Sequence, residues 1–188
     1  MKRRQFIGLL GGGMLAASFA ARAQTAIPVI GYLSGRSADS EAPLREPFLK
    51  ALEEAGFVVG RNVTIEYRHA QGRDDRLPEL ALELVRQKVT VLVATSNASA
   101  LALKAVTSTI PTVFAVGDDP VRQGLVASLN RPGGNATGVH VFTSRLGAKR
   151  LSLIRTLLPR PGLIAFVVDP KNVSTAIRSR RYSKRHAQ

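Results

Sequence analysis

From residue 27 onward, short apolar runs alternate with segments whose apolar residues recur every three or four positions. Residues 27–33 form a near-continuous apolar run ending at Ser34 and Gly35, the pattern of a buried strand. Leu44, Phe48, Leu49, Leu52 and Ala55 then share one face of a predicted helix. Gly56 follows where a left-handed residue commonly closes a helix. Val63, Ile65 and Tyr67 alternate with polar residues as a strand with one polar face. The next helix carries Leu77, Leu80, Leu84 and Val85, with Asp74 or Asp75 as its expected cap. Residues 89–94 read as a central, β-branched strand. Ser96 or Asn97 caps a helix bearing Leu101, Leu103 and Val106, and residues 111–116 form another buried strand. Val121, Leu125, Val126 and Leu129 predict a helix that Pro132, Gly133 and Gly134 stop, before a short strand at 139–142.

Strands and helices in alternation predict the α/β class, with a doubly wound parallel sheet. Such sheets bind ligands beyond the carboxyl ends of their strands. That rule singles out four loops: Ser34-Gly35-Arg36, Thr95 to Ala98, Gly117 to Pro120, and Thr143-Ser144. Within them Ser34 and Gly35 offer a hydroxyl and backbone N–H groups. Ser96, Asn97 and Ala98 open a helix, where free N–H groups suit a carboxylate. Asp118 and Asp119 can receive an ammonium group, and Phe142 and Thr143 can close the far side. One anion subsite and one cation subsite would fit an amino-acid-like zwitterion. The competing reading is structural: Ser96 and Asn97 as ordinary helix caps, and Asp118-Asp119-Pro120 as an ordinary turn.

A second strand–helix unit begins at Ser144. Leu146, Leu151, Ile154, Leu157 and Leu158 give its helix an apolar side, and residues 163–168 make a strand. From Ser174 the periodicity fails, and residues 173–188 read as a basic, disordered tail. The expected division is therefore a leader at 1–23, a first α/β lobe at 24–143, the start of an incomplete second lobe at 144–172, and the tail.

The leader changes the expected location. Arg3 and Arg4 precede the apolar Phe6 and Ile7, and a glycine-diluted apolar stretch runs to Ala21-Arg22-Ala23. A positive start, a short apolar region and a small-x-small cut mark an export signal, here of the twin-arginine type. Arg3, Arg4, Ala21 and Ala23 are its key residues, and the export machinery its partner. The stretch is too short to span a bilayer stably. A periplasmic destination follows, and the four Asn-x-Ser/Thr triplets, at Asn62, Asn97, Asn135 and Asn172, are then coincidental.

The net charge of +14 suggests nucleic acid until its placement is considered. Four of those charges lie in the first 22 residues and five between Arg178 and Arg185, leaving +5 for the rest. No nucleic-acid partner is expected. The chain has no cysteine, so thiolate chemistry is excluded. His69, His140 and His186 lack metal-ligand spacing, and Gly31 and Gly35 lack the lysine of a phosphate-binding loop. No Gly-x-Ser-x-Gly elbow is present. No cofactor and no catalytic set are expected. An enzyme on this fold class remains the alternative, as does an interaction protein acting through the basic tail.

The order of segments also carries a resemblance. Pro28 to Ser34, Gly60 to Tyr67, Asp75 to Leu80, Ile110 to Phe114, Gly117 to Pro120, Gly124 to Asn135 and Ala148 to Leu151 follow one another as in a known family. Over residues 28–172 the chain resembles the ABC transporter substrate-binding proteins related to tryptophan- and tyrosine-binding proteins. The resemblance implies a periplasmic-binding-protein fold of two α/β lobes that close on a small-molecule ligand. It also implies an ABC permease and its ATPase as partners, and no chemistry. Against that pattern the second lobe is incomplete, so impaired ligand binding is expected. A shifted reading frame past Asn172, leaving a non-functional product, is the alternative.

Overall fold

A computed structural model describes residues 27–141 and 146–158. Its core is a five-stranded sheet in the order β2-β1-β3-β4-β5, with every neighbouring pair parallel. The strands are β1 (Val29–Ser34), β2 (Thr64–His69), β3 (Val91–Ala94), β4 (Thr112–Val116) and β5 (Ala136–His140). The helices are α1 (Ala38–Glu54), α2 (Leu77–Arg86), α3 (Asn97–Val106) and α4 (Leu146–Leu157). The predicted α/β class and parallel sheet are present.

Side chains alternate across a strand, so each strand divides between two faces. Leu33, Leu92, Ala94, Phe114 and Val116 point to one face and meet Leu77, Leu80, Ala81 and Leu84 of α2 and Leu103 of α3 in one buried cluster. Tyr32 and Ser34 point to the other face, which α1 covers beside β1: the Tyr32 and Phe48 rings lie 5.6 Å apart. Helices on both sides of a parallel sheet make the doubly wound arrangement.

The structure corrects several expected elements. No helix spans residues 121–129. Leu125 N–H reaches the Pro120 carbonyl at 2.8 Å, and Gly124 just before it has φ +70, so the chain makes turns there. Leu125 and Val126 are nonetheless buried, and tertiary contact rather than a helical stripe placed their apolar side chains. Asp74 and Asp75 begin a 3-10 turn (Asp74–Arg76) instead of capping α2, which starts after Arg76 without a side-chain cap. β5 lies earlier than its expected 139–142. β4 is not buried on both sides: it alternates, with Val113 43% exposed. α1 shows the largest difference. Leu44 is 52% exposed, and the helix's buried residue is Glu41. Gly56 does close α1 as expected, at φ +86.

Besides Asn97 at the strand ends, two other sequon asparagines do structural work. Asn62 Oδ1 accepts the Val58 N–H at 2.6 Å while its Nδ2 donates to the Gly56 carbonyl at 2.8 Å. Asn135 Nδ2 donates to the Ile110 carbonyl at 2.7 Å. The leader, Phe142, Thr143, the strand expected at 163–168 and the tail lie outside the described residues. Among the described residues no helix is long and apolar enough to cross a membrane.

Candidate ligand-binding site

Parallel strands end on the same side of a sheet, so the loops after β1, β3 and β4 leave from one edge, side by side. Three of the four expected loops are thereby assembled: Ser34-Gly35, Ser96-Asn97-Ala98 and Asp118-Asp119. The fourth, with Phe142 and Thr143, is among the residues not described.

The first loop is tied inward. Ser34 is fully buried; its Oγ donates to Glu41 Oε2 at 2.8 Å and accepts the Arg36 N–H at 3.1 Å. Its hydroxyl is therefore committed to the protein and not offered to a ligand. Glu41 Oε1 accepts the Tyr32 hydroxyl at 2.8 Å. A buried carboxylate is costly unless its oxygens are bonded, and these two hydroxyls satisfy one oxygen each. Gly35 sits between neighbours: a Cβ there would lie 3.0 Å from Asp74 Oδ1 and 3.9 Å from Ser96 Oγ. Glycine lets the β1 loop approach Asp74, at the 3-10 turn before α2.

The second loop is an N-terminus closed by reciprocal bonds. Ser96 Oγ accepts the Ser99 N–H at 3.1 Å, and Ser99 Oγ accepts the Ser96 N–H at 3.0 Å, a capping box. Asn97, 7% exposed, is not the cap. Its Oδ1 accepts the Gly117 N–H at 3.0 Å and its Nδ2 donates to Gln123 Oε1 at 2.6 Å. Gln123 Nε2 in turn donates to Asp118 Oδ2 at 3.3 Å. Asn97 is thus the brace between the second and third loops. In the third loop, Asp119 Oδ1 accepts the N–H groups of Val121 at 3.1 Å and Arg122 at 3.3 Å, the turn expected of an Asp-Pro step.

Replacing Asn97 by alanine removes the acceptor of the Gly117 N–H and the donor to Gln123 Oε1. A buried unpaired group costs about 1–3 kcal/mol, so Asn97→Ala should lower the urea midpoint clearly. Substitution of the exposed Asn130 should leave it unchanged.

Beside this edge lies a titratable cluster. His69 pairs with Ser34 across β2 and β1, and its ring stacks on Tyr67 with centroids 6.0 Å apart. Arg45 of α1 lies over Tyr67 at 5.6 Å. Burial raises the Tyr32 and Tyr67 hydroxyls; the hydrogen bond and charge of Glu41 push Tyr32 further, while Arg45 opposes the shift of Tyr67. Burial lowers His69 below its usual 6.5, and Glu41 works against that shift. The unfolded chain then takes up the His69 proton first as pH falls. Stability from this group is complete above about pH 6.5 and declines below it. The urea midpoint should drop between about pH 7.5 and about pH 5, and drop less in His69→Gln. Equal drops in both proteins would exclude His69 as the source.

Sequence reasoning missed Glu41, Gln123 and His69. Glu41 in the first turn of a helix carries the signal of a dipole-favoured surface acid; nothing local marks it as buried. Gln123 stood in a segment read as helix. Among the described residues no group of three His, Asp or Glu side chains is placed to hold a metal ion.

Relatives share both the sequence and the architecture. The chain is 34% identical over 133 residues to a tyrosine-binding protein of Clostridioides difficile, a match covering 71% of this chain and 38% of that protein. A crystal structure of a conserved domain protein from Vibrio cholerae superposes with a TM-score of 0.72 at 29% identity, covering 86% of this chain and 54% of the other. The ligand-free, open structure of a substrate-binding protein with adhesive properties from Clostridium difficile gives 0.60 at 28% identity, covering 85% and 55%. An ABC domain from Streptococcus pneumonia in complex with L-Trp gives 0.56 at 27% identity, covering 61% and 39%. The chain thus spans roughly 40–55% of the length of these relatives. A sequence model of ABC transporter substrate binding proteins matches residues 24–187, and the chain belongs to that family.

Proposed function

We propose that this chain is an exported solute-binding component of an ABC-type importer, whose ligand is a small amino-acid-like zwitterion. The observation that carries the reading is the assembly of three loops at one sheet edge with their side chains locked inward. Ser34, Ser96 and Asn97 spend their polar atoms on the protein, which fixes the loops as a rigid wall. What such a wall presents outward is backbone. The first-turn N–H groups of α3, at Asn97 and Ala98, have no intrahelical partner and suit a carboxylate. Asp118 supplies negative charge on the neighbouring loop for an ammonium group.

One relative is called a tyrosine-binding protein, and the structure of another is of its complex with L-Trp. L-tyrosine and L-tryptophan are therefore the first ligands to try. Isothermal titration of the full chain should show saturable binding of at least one, without turnover of the ligand. Absence of binding to any amino acid overturns the reading; conversion of the ligand would make the chain an enzyme. In the cell, bound ligand passes to a permease driven by its ATPase.

Arg3 and Arg4 carry the proposal of twin-arginine export to the periplasm, with cleavage after Ala23. Changing both arginines to lysine should leave the precursor in the cytoplasm. Periplasmic recovery of that variant at the parent level would refute this route.

A further inference from the structure

We infer that Arg36, seated against the buried carboxylate of Glu41, receives the carboxylate of the amino-acid ligand; this rests on the amino-acid reading above. Arg36 lies in the first strand-end loop, next to Gly35, whose own position is within van der Waals range of Ser96 at the start of α3. Its Nε is 3.7 Å from Glu41 Oε2, beyond hydrogen-bond reach but close enough for strong attraction. Glu41 is fully buried, whereas the Arg36 side chain is 58% exposed. The carboxylate therefore holds the guanidinium from behind, on the Nε side. More than half of the Arg36 side chain is open to solvent, and among the described residues its Nη groups make no hydrogen bond.

Four other cations around the sheet are differently engaged. Arg45 lies over Tyr67, Arg68 bonds Glu83 at 2.7 Å, Arg73 bonds Asp75 at 2.9 Å, and Lys104 donates to the Gly124 carbonyl. Arg36 combines a place at the strand carboxyl ends with an exposed guanidinium and a buried carboxylate beside it. With its Nε side toward Glu41, a planar guanidinium still has its end-on Nη pair, which can grip a carboxylate by two parallel bonds. β1 and β3 are adjacent, so the loop of Arg36 and the first turn of α3 are neighbours. One carboxylate between them meets a fixed cation on one side and free backbone N–H groups on the other. Glu41 does not cancel this attraction. Glu41 is fully buried and held by the hydroxyls of Tyr32 and Ser34, so the exposed guanidinium is the nearer charge to a ligand arriving from solvent. Glu41 is the positioning residue and Arg36 the binding residue.

The test compares L-tyrosine and L-tryptophan with their amides, which keep shape and ammonium but lose the negative charge. Binding of the full chain is measured by calorimetry for the parent, Arg36→Gln, Arg36→Lys, Glu41→Gln and, as a charge control, Arg61→Gln beyond the opposite edge of the sheet. The parent and the Arg61 variant should prefer acid over amide by at least about tenfold. Arg36→Gln should erase that preference while holding the amide as tightly as the parent does, which also shows that the variant is folded. Arg36→Lys should keep part of the preference, since a lysine supplies charge without the fork. Glu41→Gln should lose some of it. A full preference in Arg36→Gln, or none in the parent, overturns the assignment while the amino-acid reading stands. Full preference in Glu41→Gln overturns the positioning role. A parent that binds no amino acid overturns both readings together.

Discussion

Glu41→Leu should lower the unfolding free energy by about 2–6 kcal/mol, because it strands two buried hydroxyls at once. Tyr32 OH and Ser34 Oγ each donate to this carboxylate at 2.8 Å, and residues 32, 34 and 41 are all buried. Leucine matches the volume of glutamate roughly, so the loss reports polar pairing and not a cavity. Glu41→Gln keeps one acceptor and adds a donor, and should cost less. Tyr32→Phe combined with Glu41→Leu removes one stranded hydroxyl with its acceptor and should recover part of the loss. Urea unfolding of the four proteins at neutral pH measures all three expectations. If Glu41→Leu matches the parent, the network is not a source of stability. The same network predicts an alkaline limit. Tyr32 is raised above its usual 10.0, so the unfolded chain ionises first. Its contribution is complete below about pH 10 and declines above it.

Local pattern was sufficient wherever an element buries a continuous apolar side. α2 puts Leu77, Leu80 and Leu84 on one helical face, and all three are buried as the spacing requires. β3 reads correctly because Leu92 and Ala94 enter the core. Pattern misled where burial is decided by distant partners. The apolar side read into α1 leaves Leu44 exposed, while a charged residue of the same helix is buried against Tyr32 and Ser34 of β1. Residues 121–129 show helical spacing, yet Gly124 and the bond from Leu125 to Pro120 turn the chain first. That the loops after β1, β3 and β4 gather at one end of the sheet was legible, because strand-end geometry follows from the class of fold. The chemistry there was less so. Serine and asparagine at a loop look alike in sequence whether they face a ligand or the protein. Here Ser34 and Asn97 face the protein, and the exposed cation beside them, Arg36, went unmarked because its orienting partner lies five residues away in another element.

Gly31 and Leu84 should show coupled losses. Gly31 is a buried β1 residue facing α2; an added Cβ would lie 2.9 Å from Leu92 Cδ2, 3.1 Å from Val89 Cγ2 and 3.3 Å from Leu84 Cδ2. The glycine is therefore needed for close packing of helix on sheet, a role that explains it without any phosphate. Gly31→Ala should cost about 1–3 kcal/mol by overpacking. Leu84→Ala, at a fully buried position, should cost about 2–5 kcal/mol, the value rising with the cavity left behind. The obstacles around Gly31 are all ends of side chains, and the space vacated by Leu84 gives them somewhere to move. The double variant should then be more stable than the sum of the two losses predicts, with a coupling of about 0.5–3 kcal/mol. Urea unfolding of the parent, the two single variants and the double variant completes the cycle. Strict additivity would mean that Leu84 does not limit the space at Gly31, and that α2 is held off the sheet by Val89 and Leu92 alone.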